Sequence, residues 1–377
     1  MNINALNIAI QSKIPVIVWG GPGIGKSSIS EGIARSLKCH IETVIASIRE
    51  PADFGGLPVI GDDGGVKLAP PAWAKRIAAK CLDKNEDPLA AILFLDEIST
   101  AAPATQAALL RVIHDGVVGD LKLPPNMAII AAANPPEEAA GGWELSPPMA
   151  NRFIHLKWSH DAPSWCEGLV GGFPDPKVAR MEPYDKFLPQ ARGLIASFIN
   201  IRPALLYVLP KDTTNQGLAW PSPRTWETVT FIRASKLANH FSDEDEVDLA
   251  MGAVGEAAAI ELFEWEKNLD LPNPEDLLQD AIENKLGGFS FPERGDKSYA
   301  ILTSIVAAVL SNNTPDRWNA AWKIFKIAID QGIPDVAASA ARTLGLNRPK
   351  DEDGNLLPAP KEIAAFGALL YRARILT

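Results

Sequence analysis

An apolar run followed by a glycine-rich loop and a lysine constrains this chain more than any other feature. Residues 14–18 read IPVIV, and residues 19–28 read WGGPGIGKSS. The second stretch fits the pattern G-x-x-x-x-G-K-[ST], with Gly20, Gly25 and Lys26 at fixed positions. The pattern predicts a strand, a loop and a helix in succession, with a phosphate group held where the helix begins.

Each residue type in this loop has its own role in holding phosphate. Glycines let successive backbone N–H groups point at the phosphate oxygens, Lys26 reaches the terminal phosphates, and the Ser27 hydroxyl helps to hold Mg²⁺. The alternative is an ordinary glycine-rich turn between a strand and a helix. The residues predicted to bind the nucleotide in this loop are Gly20, Gly21, Pro22, Gly23, Ile24, Gly25, Lys26, Ser27 and Ser28.

Two adjacent carboxylates follow a second apolar run. Residues 90–95 read AAILFL, and Asp96 and Glu97 come directly after them. In a parallel sheet these acids would lie beside the phosphate loop, so we predict that Asp96 and Ser27 hold Mg²⁺ and that Glu97 orients the attacking water. The alternative is a pair of acids that caps the next helix. Together with the phosphate loop, the acids predict hydrolysis of a nucleoside triphosphate.

A third apolar run ends in an asparagine. Residues 127–132 read MAIIAA, and Asn134 follows one residue later. At the carboxyl end of a parallel strand, Asn134 would lie at the same sheet edge and contact the γ-phosphate or the water. The alternative is plain turn chemistry, because Asn-Pro pairs often begin turns.

Alternation of apolar runs with helical patterns over the first 160 residues is typical of an α/β unit with a parallel sheet. Residues 158–189 are rich in Pro, Gly and Trp, which predicts an ordered connector, and the pattern beyond them is helical. The predicted strands span 14–19, 40–46, 90–95, 127–132 and 152–157, and the predicted helices include 26–37, 104–114, 190–199, 222–240, 246–268 and 361–375.

Charge and composition argue against several classes of function. The net charge of −10 argues against a broad nucleic-acid surface, which needs clustered Lys and Arg. The apolar runs are far shorter than a membrane span requires. The three cysteines are widely spaced without a CxxC pair, which fits a reducing compartment, and we expect a cytoplasmic protein.

The order of these motifs resembles that of AAA+ ATPases, and more narrowly that of the MoxR branch. In that branch a phosphate loop, a strand ending in Asp-Glu, a strand ending in a sensor asparagine and a late arginine occur in series. The late arginine here is Arg152, in SPPMANRF at residues 146–153, and a further arginine, Arg224, ends WPSPR at residues 220–224. The resemblance covers residues 1–290.

The resemblance implies a role for each of these polar residues. Asn134 is similar to the family's sensor asparagine, Arg152 to the arginine that reaches the γ-phosphate bound by a neighbouring subunit, and Arg224 to the lid arginine that closes on the nucleotide. Arg111 is a second candidate for the contact with a neighbouring subunit. For each arginine the alternative is a surface ion pair. The family's usual acid before the late arginine is Asn151 here.

The implied fold is an AAA+ P-loop core with a parallel five-stranded sheet between helices, followed by an all-helical lid and a helical C-terminal extension. The predicted boundaries are 1–160 for the nucleotide-binding α/β domain, 161–189 for a connector, 190–290 for the lid and 291–377 for the extension.

The implied activity is hydrolysis of ATP with Mg²⁺ by a homo-oligomeric ring, which we expect to be a hexamer. By the same resemblance, the ring remodels or activates a partner protein that carries a von Willebrand A domain. Two alternatives remain open: an AAA+ motor that acts on nucleic acid, and a nucleotide-gated scaffold with weak turnover. A preference for GTP also remains open.

Residues 50–71 predict a β-hairpin with a glycine-rich tip at residues 61–65, which read GDDGG. MoxR relatives place an insert of this kind on the upper face of the ring, near substrate or partner. The alternative is a surface hairpin without a role in function.

Overall fold

The structure is a computed structural model in which the chain forms two compact units. Unit 1 comprises Met1–Glu182 and Tyr207–Ile260, and unit 2 comprises Pro183–Leu206 and Glu261–Thr377. The residues that the structure describes are 3–84, 86–135, 138, 142–159, 161–268, 271–350, 356–358 and 360–367. The predicted domain boundaries at residues 160, 189 and 290 stay predictions.

Unit 1 is built around a parallel sheet of five strands in the order β2-β5-β8-β1-β9. Two further pairs of short antiparallel strands, β3 with β4 and β6 with β7, lie outside this sheet. The strands are β1 Val16–Trp19, β2 His40–Ile45, β3 Leu57–Ile60, β4 Val66–Ala69, β5 Ala91–Asp96, β6 Val117–Val118, β7 Leu121–Lys122, β8 Met127–Ala133 and β9 Ile154–Lys157.

Helices of both units complete the fold, together with five short 3-10 helices at Ala46–Ile48, Ile98–Thr100, Asp185–Phe187, Pro203–Leu206 and Lys361–Phe366. The α-helices are α1 Ile3–Gln11, α2 Lys26–Ser36, α3 Ala52–Gly55, α4 Ala72–Asp83, α5 Pro103–Asp115, α6 Pro147–Ala150, α7 Ala162–Gly171, α8 Leu188–Ile201, α9 Thr213–Gln216, α10 Pro223–Asn239, α11 Asp243–Val254, α12 Glu256–Lys267, α13 Pro274–Ile282, α14 Gly295–Ser311, α15 Pro315–Asp330 and α16 Pro334–Leu346.

The predicted parallel sheet is confirmed, and its apolar strands explain why it forms. Every residue of β1 is buried, as are the first five residues of β5, because helices cover both faces of a parallel sheet. The register pairs Trp19 with Ala133 on one side and with Lys157 on the other. The carboxyl ends of β1, β5 and β8 therefore meet at one sheet edge, where the predicted polar residues follow.

The predicted hairpin is also confirmed. Strands β3 and β4 pair antiparallel, with Leu57 opposite Ala69, and the tip closes by a hydrogen bond of 2.8 Å from the Gly61 N–H to the Gly65 carbonyl. Leu57, Ile60 and Val66 are exposed on it. The hairpin therefore contributes little to the core of unit 1.

The predicted helix over residues 246–268 is wrong in one respect, because the structure breaks it into α11 and α12. Gly255 lies between them with φ of 81°, a left-handed conformation that favours glycine, and its N–H caps the carbonyl of Met251. The apolar periodicity on both sides continues across this glycine, which is why the sequence pattern predicts one helix.

Unit 2 has its own core, in which α14 and α15 supply most of the large side chains. Trp318 and Trp322 are fully buried, and Thr314 caps α15 by accepting the Arg317 N–H. Of the predicted last helix over residues 361–375, residues 361–367 are described and contain the 3-10 helix Lys361–Phe366, and residues 368–375 lie outside the described residues. Among the described residues, no helix combines the length and the apolar character needed to cross a bilayer.

Candidate nucleotide site

The glycine-rich loop connects β1 to α2 and adopts a backbone that requires glycine. Gly23 and Gly25 have φ of 78° and 90°, in the left-handed region that side chains with a Cβ rarely occupy. Gly25 directly precedes α2, so the unpaired N–H groups of the first helical turn point toward the loop. This strand–loop–helix arrangement is the one that the motif predicts, and it is suited to an anion.

A cavity of about 340 Å³ opens at the carboxyl edge of the sheet, in front of this loop. Most of the predicted nucleotide and metal residues line it. The lining residues are Pro22, Gly23, Ile24, Gly25, Lys26, Ser27, Ser28, Asp96, Glu97, Ala132 and Asn134. Gly20 and Gly21 are not in the lining, but their carbonyl oxygens contact the Lys26 ammonium beside it.

Lys26 is held by the protein's own oxygens. Its Nζ donates hydrogen bonds to the Gly20 and Gly21 carbonyls, at 2.5 and 2.8 Å, and to Asn134 Oδ1 at 2.8 Å. Burial lowers the pKa of the Lys26 ammonium from its ordinary value, and the negative charge of Asp96 acts in the opposite direction. A phosphate would therefore bind by replacing these contacts of the Lys26 ammonium. Asn134 already lies within hydrogen-bond distance of that ammonium.

Ser27 and Asp96 lie together as the magnesium prediction requires. The Ser27 hydroxyl donates to Asp96 Oδ2 at 3.0 Å, which places two oxygen ligands side by side next to the loop. Within the described part of the chain, no group of three or more His, Cys, Asp or Glu side chains could hold a metal. Mg²⁺ commonly takes one or two protein oxygens and completes its shell with phosphate oxygens and water, so this pair fits it.

Glu97 has a strained backbone at the cavity. Its φ of 54° lies in the left-handed region, which costs a residue with a side chain about 1–2 kcal/mol. The Glu97 N–H donates to Asp96 Oδ1 at 2.9 Å, and the Glu97 carboxylate accepts a hydrogen bond from the Ser47 hydroxyl. Strain of this kind is often found at functional sites.

Ser47 is a residue that the sequence analysis missed. It belongs to the 3-10 helix Ala46–Ile48 that follows β2, and β2 pairs with β5 so that Ile45 lies opposite Asp96. The carboxyl end of β2 is thus at the same sheet edge. The only signal in the sequence is a serine just after a predicted strand, and its meaning depends on knowing that β2 and β5 are neighbours.

Trp158 and Glu138 are two further residues without a sequence prediction. The Trp158 indole N–H donates to the Ile24 carbonyl at 2.8 Å, and its backbone N–H donates to the Trp19 carbonyl at 2.6 Å. Trp158 therefore braces the phosphate loop from the strand next to it. The Glu138 carboxylate lies against Gly21, where a Cβ would collide with it, and its charge acts on Lys26.

Neither predicted arginine lines the cavity. Arg152 follows α6, and its Nη1 donates to the Pro148 carbonyl at 2.5 Å, while its buried Nε has no hydrogen-bond partner among the described residues. Burial lowers the pKa of the Arg152 guanidinium, and the charge of Arg224 lowers it further.

Arg224 lies exposed in the first turn of α10, and its side chain has no hydrogen bond or ion pair to a described residue. The charge of Arg224 acts on Arg152, and the segments that carry them are joined by the hydrogen bond from the Ser222 hydroxyl to Asn151 Oδ1. Arg111 is exposed on α5. The roles of these arginines stay predictions.

Comparison with known proteins agrees with the geometry of unit 1. The family model described as the AAA domain, dynein-related subfamily, matches residues 15–153, which contain the phosphate loop, Asp96–Glu97 and Asn134. A search of curated proteins finds no match. A solved structure from Cytophaga hutchinsonii ATCC 33406, described as a putative ATPase, is 16% identical, with 67% of this chain and 80% of that chain covered and a TM-score of 0.43.

The fold of the α/β part is identified from the domain match and from the sheet and site of this chain. An AAA domain binds nucleotide, which agrees with a cavity lined by the phosphate loop and the acids after β5. The α/β part of this chain therefore has the fold of an AAA+ P-loop core, and a helical region follows it.

Proposed function

We propose that this chain hydrolyses ATP with Mg²⁺. The observation that carries the proposal is the convergence of Lys26, the Ser27–Asp96 pair and Glu97 on one cavity at the carboxyl edge of the sheet. These residues come from two separate stretches of the sequence, and each supplies a group that phosphoryl transfer to water requires. A cavity that served binding alone would not need a carboxylate in the position of Glu97.

The roles of the residues follow from their contacts. The loop N–H groups and Lys26 bind the phosphates, and Ser27 and Asp96 hold the metal, which neutralises charge on the phosphate oxygens when it is bound. Glu97 orients the attacking water, and Asn134 contacts the γ-phosphate or that water. A nucleotide that enters must separate Lys26 from Asn134 Oδ1, so binding itself frees Asn134 for this role.

The proposal includes a homo-oligomer, because Arg152 does not line the cavity of its own subunit. In a ring, which we propose to be a hexamer, Arg152 reaches the phosphates bound by a neighbouring copy and neutralises charge in the transition state. Its buried, unpartnered Nε and its proximity to Arg224 support an arrangement that gains stability when an anion is added.

We further propose that the chain belongs to the MoxR branch and uses hydrolysis to remodel or activate a partner with a von Willebrand A domain. The order of the motifs and the confirmed hairpin of β3 and β4 support this proposal. We place the activity in the cytoplasm, because the described cysteines Cys39, Cys81 and Cys166 are all free thiols.

Glu97→Gln tests the proposed hydrolysis. The amide keeps the size of the side chain but cannot serve as a base, so we expect ATP binding within about twofold of wild type and a loss of turnover of at least about 100-fold. ATP binding and phosphate release are measured on the same preparation. Normal phosphate release from this variant would exclude the assignment of Glu97.

The same variant can test for a partner. Glu97→Gln with ATP should accumulate the ATP-bound ring, so a von Willebrand A protein mixed with it should co-elute with the ring in ATP and not in ADP. The control is Lys26→Ala, which should stay largely without nucleotide at an ATP concentration that fills Glu97→Gln. Phosphate release by wild type with added DNA tests the nucleic-acid alternative, because a DNA motor is stimulated in a salt-sensitive way.

A further inference from the structure

Asn151 is a buried asparagine next to Arg152. It is 5% exposed and lies directly before Arg152, at the end of α6. Its Nδ2 donates to the Trp220 carbonyl at 3.1 Å, and its Oδ1 accepts the Ser222 hydroxyl at 2.6 Å. One side chain therefore joins the turn that carries Arg152 to the segment in front of α10.

Ser222 extends this connection to Arg224. The Ser222 hydroxyl is the N-cap of α10 and accepts the Thr225 N–H at 3.2 Å, while it donates its own proton to Asn151. Arg224 lies two residues further on, in the first turn of the helix. The position of Arg224 is thus fixed by the cap, and the cap is bonded to Asn151.

The bonds of Asn151 require an amide. A single terminal group must donate to the Trp220 carbonyl and accept from Ser222, and an asparagine side chain can do both at once. An ionised aspartate has the same shape but only acceptor oxygens, so it would face the Trp220 carbonyl without a proton between them. An alanine would leave both partners unpaired in a buried position.

The hydrogen bond between the two segments matters because Arg152 and Arg224 are both positively charged and repel each other. The charge of Arg224 disfavours the charge of Arg152, the charge of Asp115 acts in the opposite direction, and neither arginine forms an ion pair with a carboxylate among the described residues. Without a bond between their segments, the two cations would move apart. The Asn151–Ser222 bond opposes this movement in the absence of a bound anion.

We propose that Asn151 is a positioning residue that holds Arg152 and Arg224 as one pair, for the phosphates bound by a second copy of this chain. This inference rests on the proposed function, in which Arg152 acts on a neighbouring subunit. It adds that Arg224 is presented together with Arg152, and that the amide of Asn151 sets the distance between the two guanidinium groups. Asn151 itself touches no phosphate.

The test is Asn151→Asp in the full chain. We expect about tenfold lower kcat with ATP affinity within about twofold of wild type, because the pocket is intact and only the arginines delivered to the neighbouring subunit are displaced. Mixing this variant with Lys26→Ala should restore activity severalfold. At an ATP concentration that leaves most Lys26→Ala pockets empty, these subunits still carry intact arginines, which then serve the intact pockets of Asn151→Asp subunits.

Two controls distinguish a failure of the role of Asn151 from a failure of the proposed contact between Arg152 and a neighbouring subunit. Arg152→Ala mixed with Lys26→Ala should regain activity in the same way, and a failure of this pair would overturn the contact between subunits and the inference with it. If this pair regains activity but the Asn151→Asp pair does not, Asn151 acts inside its own subunit and the inference is wrong. An unchanged kcat in Asn151→Asp would also overturn it.

Asn126 provides a matched control for the chemistry of the substitution. It is also a buried asparagine, and its Nδ2 donates to the carbonyls of Cys81 and Lys84 at 3.1 Å, before β8 and thus at the opposite sheet edge. Asn126→Asp should lower the Tm and leave kcat within about twofold. If Asn151→Asp does not fold, Asn151→Ala is used in the same mixing experiment. The expected result and the result that would overturn the inference are the same.

Discussion

The two ends of the candidate site differ in how their charges are compensated. At the phosphate end, Lys26 donates to three oxygens of its own chain, and Ser27 is bonded to Asp96. At the arginine end, the Arg152 Nε is buried without a partner among the described residues, and Arg224 has no carboxylate there. The phosphate end therefore has its charged groups hydrogen-bonded without a ligand, whereas at the arginine end a buried donor of Arg152 has no partner until an anion reaches it.

This difference indicates that the phosphate-binding groups and the arginines have separate roles, the first in nucleotide binding and the second in catalysis. A buried donor without a partner costs about 1–3 kcal/mol, and the cost is recovered when an anion is supplied. The cavity contains the groups that bind a nucleotide, and the arginines do not line it. Removing a phosphate-binding group such as Lys26 should therefore affect mainly binding, and changes at the arginine end should affect mainly turnover.

Arg152→Ala is the change with the largest expected effect. Because an arginine that neutralises transition-state charge acts on the chemical step, we expect turnover to fall about 10³-fold, or about 4 kcal/mol, with ATP affinity nearly unchanged. Phosphate release and nucleotide binding measure the two quantities. Arg192→Ala, an exposed arginine on α8 in unit 2, is the control. Loss of turnover in Arg111→Ala but not in Arg152→Ala would transfer this role to Arg111.

Lys26→Ala tests the phosphate end of the site. Removing the ammonium takes away a charge-assisted contact with the phosphates, so we expect ATP affinity to fall about 100-fold, or about 2.7 kcal/mol. Binding of a fluorescent ATP analogue measures the change, and Lys75→Ala, an exposed lysine on α4, is the control. The division between the two ends would be contradicted if Lys26→Ala bound ATP normally and lost only turnover.

The phosphate end was largely predictable from sequence because its signals are local. The loop motif, the acids after residues 90–95 and Asn134 each follow an apolar run, and parallel strands bring their carboxyl ends to one edge. The five strands were placed within one or two residues. The break at Gly255 was not, because apolar spacing continues across it and only the positive φ ends the helix.

The contacts around the loop could not be predicted, because they depend on which strands are neighbours. Ser47 reaches Glu97 only because β2 lies next to β5, and Trp158 reaches Ile24 only because β9 lies next to β1. Sequence spacing contains no information about either pair. The bond between Asn151 and Ser222 is similar, since 71 residues separate its partners.

His155 lies between the two ends and should affect stability rather than chemistry. Its Nδ1 accepts the Trp19 indole N–H at 2.9 Å and its Nε2 donates to the Ala150 carbonyl at 2.9 Å, so it connects the strand before the loop to the turn before Arg152. Burial lowers the pKa of His155 from 6.5 to about 4. The folded protein therefore holds this ring neutral, and a proton on Nδ1 would break the bond from Trp19.

The pH dependence of stability follows from the difference in proton binding at His155 between the folded and the unfolded chain. Between pH 6.5 and 4 the unfolded chain binds a proton at His155 that the folded chain does not, so this contribution to stability is present above pH 6.5 and is lost as the pH falls toward 4. The shift from 6.5 to about 4 is worth at most about 3 kcal/mol. Denaturant unfolding of wild type and His155→Gln at pH 7 and pH 4 measures it. Equal losses of stability in both proteins would show that His155 does not titrate in this range.

Ser47→Ala has the smallest expected effect. It tests whether Glu97, at the phosphate end, is already in the position that hydrolysis requires. The Ser47 hydroxyl holds the Glu97 carboxylate, which must face a water at the γ-phosphate to act as a base. Releasing that hydrogen bond, worth about 1 kcal/mol, should raise basal turnover about fivefold and leave ATP affinity unchanged. Ser339→Ala, an exposed serine on α16, is the control for single-turnover measurements. Slower turnover in Ser47→Ala would mean that Ser47 holds Glu97 in its productive position, and the phosphate end would then be prepared for chemistry as well as for binding.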